Sequence, residues 1–130
     1  MGLFNKVFGK NQSDVKEEKN IPWNALTLLS QLDEIVEESK SQPVAIFKHS
    51  TRCGISRMVI KQFESAYNID VSKMKLYYLD LLNYRDVSAE VGYRFQVLHQ
   101  SPQLLVIKNG TAVAHASHNG ILAEELVSFI

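Results

Sequence analysis

Phe47-Lys48-His49-Ser50-Thr51-Arg52-Cys53-Gly54-Ile55-Ser56-Arg57-Met58-Val59-Ile60 holds the only cysteine of a 130-residue chain. The pattern changes period at that cysteine. Residues 44–47, Val-Ala-Ile-Phe, are a short apolar β-prone run, which reads as a strand. Beyond Cys53, the positions Ile55, Met58, Val59 and Phe63 recur at helical spacing. Cys53 therefore stands at a strand-to-helix junction. The first backbone N–H groups of a helix lack intrahelical acceptors, and the peptide dipoles leave partial positive charge there, so a thiolate is favoured at that point. Lys48, Arg52, Arg57 and Lys61 add positive charge, and no acidic residue intervenes between Lys48 and Glu64. Both effects point to a nucleophilic Cys53.

Working outward, the chain is long enough to bury a core without disulfide staples. Apolar residues at 45% and charged residues at 22% fit an ordinary globular domain. A formal net charge of zero gives no reason to expect nucleic acid or an acidic membrane as a partner. One cysteine excludes an internal disulfide and a cysteine-rich zinc module, so any disulfide formed joins another molecule. With neither a signal-peptide core nor an apolar run of membrane-spanning length, the expected compartment is a reducing cytoplasm.

Residues 1–20 read as a tail, briefly amphipathic around Leu3-Phe4 and Val7-Phe8 and then polar, and residues 21–130 as the folded domain. Pro22 suits a first helical turn, and Ala25, Leu28, Leu29, Leu32, Ile35 and Val36 follow at helical spacing, which predicts a helix ending near Lys40-Ser41 before Pro43. Trp23 reads as a packing anchor at its start. Residues 75–80 read as a second strand, Tyr84 to Phe95 as a third helical stretch, and residues 103–108 as a strand. Asn109-Gly110 signals a tight hairpin into residues 111–116, and a final helix is expected from about Asn119 as its N-cap. The order predicts an α/β fold with a central mixed four-stranded sheet flanked by helices on both faces.

That order, with a cysteine opening the first crossover helix and a proline just before the hairpin, resembles the thioredoxin fold from Pro22 to Ile130. The resemblance implies a cis Ser101-Pro102 bond lying against Cys53. The usual Cys-x-x-Cys motif reads Cys53-Gly54-Ile55-Ser56 here, with serine at the resolving position. Phe47 to Ser56, with Ser101-Pro102-Gln103 and the polar tail, is similar to the monothiol bacilliredoxins, cytoplasmic proteins that serve the small thiol bacillithiol. Gly54 is a variation on that family's motif that keeps the nucleophile. The resemblance implies a monothiol thiol-disulfide oxidoreductase that removes bacillithiol from S-bacillithiolated proteins through a Cys53 mixed disulfide, with bacillithiol as thiol co-substrate.

Around Cys53, the supporting residues are Arg52, Gly54, Ser56, Ser101 and Pro102, and the thiol-binding candidates are Lys48, Thr51, Arg52 and Arg57. Ser56, one helical turn on, either donates to the thiolate or bonds backbone. Gly54 either admits a partner close to sulfur or is only a permissive turn residue. The cations either form a solvated surface or engage the carboxylates of bacillithiol's malate moiety, Arg52 first among them. His99 either approaches the cysteine or is an ordinary loop histidine. His115 and His118 lie three apart on a strand leading into a turn, and no metal is expected. Met58 and Met74 read as core. Cys53-Gly54-Ile55-Ser56 also resembles the Cys-Gly-Phe-Ser motif of monothiol glutaredoxins, which implies an iron–sulfur cluster carrier as an alternative. A non-catalytic stress adaptor on the same fold is a third reading.

Overall fold

The apolar run ending at Phe47 extends further than its composition shows: β2 spans Val44–His49, and all six residues are buried. Among the described residues it is the middle strand of a five-stranded sheet. The computed structural model describes residues 20–130, and the expected tail at residues 1–20 lies outside them except for Asn20. The remaining elements are β1 (Trp23–Ala25), α1 (Ser30–Glu38), α2 (Gly54–Ala66), β3 (Lys75–Asp80), α3 (Arg85–Phe95), β4 (Gln103–Lys108) and β5 (Thr111–Ser117). The strand order is β1-β3-β2-β4-β5. β3 runs parallel to both β1 and β2, while β4 is antiparallel to β2 and to β5.

The sheet therefore has one strand more than expected. Trp23–Ala25 opens it as an edge strand, in place of the first turn of a helix. Trp23 packs edge-on against Phe47 and Tyr78 and stacks on Phe63, with ring centroids 5.8–5.9 Å apart. Its indole N–H donates to Glu64 Oε2 at 2.7 Å. These contacts hold residues 23–25 along β3, and the Leu26 N–H continues the pairing to Tyr78 O at 2.8 Å. Leu26 is fully buried while Leu28 and Leu29 are exposed, so the apparent helical series crosses two different elements. The Gln31 side chain joins them, accepting from the Thr27 and Leu28 N–H groups and donating to Ala25 O.

Side chains alternate across a strand, so β2 feeds both layers. Val44 and Ile46 meet α1 and α3 through Leu32, Ile35, Val87 and Val91. Ala45 and Phe47 meet α2 and the C-terminal segment through Val59, Phe63 and Leu126. By the same alternation Lys48 points to the first layer and His49 to the second. The consequence for the site is decisive.

The C-terminal helix is also corrected. The chain ends in two 3₁₀ segments, His118–Gly120 and Ala123–Phe129, and Asn119 lies inside the first instead of capping a helix. Ala123 and Leu126 are buried and Phe129 is partly so; their three-residue spacing matches the 3₁₀ turn. Met74 is buried in the second layer, whereas Met58 is 49% exposed, because α2 buries the Ser56, Val59, Ile60 and Phe63 face instead. At the far end of the sheet the Asn109-Gly110 turn has both φ values positive, 52° and 78°, as a two-residue hairpin requires. It docks on the end of α1, where Ser39 O and Oγ accept the Asn109 and Gly110 N–H groups.

Candidate active site at the head of α2

Cys53 is the N-cap of α2, with extended backbone (φ −103°, ψ 123°). Its carbonyl takes the first helical bond, from the Arg57 N–H at 3.0 Å, and its own N–H donates to Ser50 O at 3.3 Å. No side chain caps the helix and no acidic residue occupies its first turn, so the leading N–H groups face the cysteine side uncompensated. The thiol is free and partly exposed. A Cβ placed on Gly54 would meet nothing within 4 Å. The missing side chain therefore keeps surface open beside the sulfur, and no turn geometry requires the glycine.

The candidates separate by layer. Thr51 and Arg52 are exposed on the loop, and the Arg57 guanidinium folds back to donate to Thr51 O at 3.2 Å. Lys48, read as a surface or ligand-facing cation, is instead fully buried in the other layer. Its ammonium donates to Ser88 O on α3 at 3.1 Å and bonds His99 Nδ1 at 3.2 Å. Burial without an acidic partner lowers its pKa to about 8. His99 goes with it, lying on Lys48 with its pKa lowered by burial and by that neighbouring charge.

Ser56 is fully buried. Its Oγ accepts the Ser50 N–H at 3.1 Å and lies 2.8 Å from His49 Nδ1. Burial first, and then the Arg57 charge, lower the His49 pKa against the opposing pull of Asp80 and Glu64. The hydroxyl of Ser56 has one donor and two acceptor sites, which lets it serve both the Ser50 N–H and the His49 ring. Of the two readings of Ser56, the bond to backbone is present, from the Ser50 N–H. His49 was not singled out from the sequence: seven positions separate it from Ser56, and only the strand–turn–helix path brings them together.

The Ser101-Pro102 bond is cis. In the β2–β4 register Lys48 faces Gln103, so Pro102 follows at the level of His49, at the end of the sheet where the Cys53 loop leaves. Pro102 is buried, and its carbonyl accepts the His118 N–H at 3.1 Å. His115 and His118 are exposed, and among the described residues no three His, Cys, Asp or Glu side chains converge as a metal site. Among the same residues no helix is long and apolar enough to cross a membrane.

A central mixed sheet, a partly exposed cysteine opening the first crossover helix and a cis proline just ahead of the hairpin strand β4 define a thioredoxin-fold protein. Solved structures agree. A candidate oxidoreductase described as having a thioredoxin fold is 28% identical at TM-score 0.69, covering 82% of this chain and 92% of that one. Thioredoxins from Malassezia sympodialis and Fasciola hepatica share the fold at 18% and 17% identity, with TM-scores of 0.62 and 0.61. The first alignment covers 85% of this chain and 92% of that one, the second 81% and 93%. Residues 24–126 match the family described as monothiol bacilliredoxin BrxC, and the chain belongs to that family. Its role is a redox one.

Proposed function

We propose that the chain is a monothiol thiol-disulfide oxidoreductase that removes bacillithiol from S-bacillithiolated proteins in the cytoplasm. The Cys53 thiolate attacks the bacillithiol sulfur of the mixed disulfide. A new bond joins Cys53 Sγ to bacillithiol, the old S–S bond breaks, and the protein sulfur leaves as a thiolate that takes a proton from solvent. A second bacillithiol thiolate then attacks the adduct, forming bacillithiol disulfide and returning the Cys53 thiolate. The observation that carries this reading is a lone, partly exposed cysteine at an uncapped helix start, with a serine at the resolving position whose hydroxyl is buried and engaged elsewhere. Ser56 supplies no thiol, so an external thiol must complete the cycle. Thr51, Arg52 and Arg57 border the cysteine on the exposed side and offer positive charge and hydrogen bonds to the carboxylates of the malate moiety.

The test is a single-turnover reaction with a bacillithiolated protein and a glutathionylated control, following Cys53 by intact mass, with Cys53→Ala alongside. Selective gain of one bacillithiol on the wild-type chain is expected. Absence of transfer from both substrates would defeat the proposal; a thiol-dependent dimer with visible charge-transfer absorption would favour the cluster carrier instead.

A further inference from the structure

Among the described residues Lys48 is the one fully buried cation in the core, and nothing in the exchange chemistry above uses it. Its two contacts, Ser88 O and His99 Nδ1, are neutral. Among the described residues no carboxylate lies within ion-pair distance of it. Buried charges are ordinarily paired, so a buried ammonium without a counter-ion invites an anion.

The geometry also settles what His99 offers. An ammonium has donors only, so His99 Nδ1 must accept from Lys48. The neutral ring then carries its proton on Nε2, on the side away from Lys48. The ring is exposed and lines an open groove of about 520 Å³ with Ser88, Gly92, Tyr93, Val97 and Leu98. Among the described residues no acidic side chain lines that groove. The loop is held from beneath by two cross-strand partners: Lys48 bonds His99, and Gln103 Nε2 donates to Leu98 O at 2.9 Å. Burial and the Lys48 charge both lower the His99 pKa, which favours the neutral ring.

We infer that Lys48 and His99 build a carboxylate-binding subsite in the groove between α3 and residues 96–99, with His99 Nε2–H as donor and the Lys48 ammonium as the charge behind it. Lys48 is a positioning residue, since it reaches the ligand only through His99. The proposed function bears on this only for the origin of the carboxylate, which is either the malate arm of the small thiol or an acidic side chain of the protein undergoing repair.

The test is direct binding to the reduced wild-type protein, followed through the His99 imidazole nitrogens by NMR. Malate is titrated in one arm and a short blocked glutamate peptide in the other. Saturable movement of the Nε2 resonance by malate identifies the thiol arm, and movement by the peptide alone identifies the protein partner. Affinity is expected to fall about tenfold, the loss of one charge-assisted bond, in Lys48→Met and in His99→Asn, which keeps the Nδ1-like acceptor without the outward donor. His99→Gln, which restores an N–H near the Nε2 position, is expected to stay within about threefold of wild type. Failure of both titrants to saturate, or equal affinity in wild type and His99→Asn, overturns the inference even if Lys48→Met does not fold. Because no sulfur reacts in these titrations, a wild-type protein that binds malate but transfers no bacillithiol would refute the proposed function and leave the subsite standing.

Discussion

Replacing Ser56 by alanine separates two roles that a serine at the resolving position can have. The hydroxyl accepts the Ser50 N–H at 3.1 Å and bonds His49 Nδ1 at 2.8 Å. Ser56 is fully buried, and Ser50 and His49 are each less than a tenth exposed. Alanine keeps the Cβ, so packing changes little, but two buried polar groups lose their partner. At about 1–3 kcal/mol for each neutral group left unpaired, Ser56→Ala should lose about 2–6 kcal/mol of stability. Urea denaturation, with midpoint and slope compared between the two proteins, measures that loss. Because both bonds of the Ser56 hydroxyl are to Ser50 and His49, alkylation of Cys53 by iodoacetamide at neutral pH should change by less than about threefold, or about 0.6 kcal/mol in activation free energy. A variant that keeps wild-type stability while its alkylation rate drops by about tenfold or more would show that the hydroxyl serves the thiolate, and would refute the assignment.

Two further outcomes follow from the packing. Lys48 has a folded pKa of about 8 against 10.5 for the free side chain, so the stability linked to its neutral form is present above 10.5 and is lost as pH falls through 8. Lys48→Met should therefore be more stable than wild type at pH 7, with the gap narrowing between pH 8 and 10.5 in thermal melts; a gap that widens there would contradict the burial of an unpaired ammonium. Trp23→Ala removes contacts with Phe47, Phe63 and Tyr78 and the bond to Glu64, and should cost about 3–5 kcal/mol by chemical denaturation. A loss below about 1 kcal/mol would mean that the edge strand is not anchored there.

The junction at Cys53 was legible because the change from a continuous apolar run to period 3.6 is a local property of about a dozen residues. The same holds for the Asn109-Gly110 hairpin, whose turn chemistry is carried by two residues. The edge strand was not legible: three residues show no period of their own, and Trp23–Ala25 becomes a strand only because β3 and an aromatic cluster distant in sequence receive it. Lys48 misled for a different reason. Ending the strand at Phe47 hid its parity with Val44 and Ile46, and that parity alone would have turned it inward. The same truncation hid His49, which shares its face with Ala45 and Phe47. Met58 looked like core because it falls at a helical interval from Ile55, yet α2 buries the neighbouring stripe through Ser56 and Val59. The 3₁₀ ending needed knowledge of what Ala123 and Leu126 pack against.

A chain with one sulfhydryl has no internal exit from a mixed disulfide. Where a second cysteine stands three residues along, a covalent complex with a target collapses within the same molecule, and capturing it takes an engineered serine. Here Ser56 already occupies that place, with its oxygen turned inward to His49 and Ser50. The lifetime of any adduct on Cys53 is then set by encounter with a thiol from solution, so unmodified protein, kept free of small thiols, is its own trap for whatever it is bonded to.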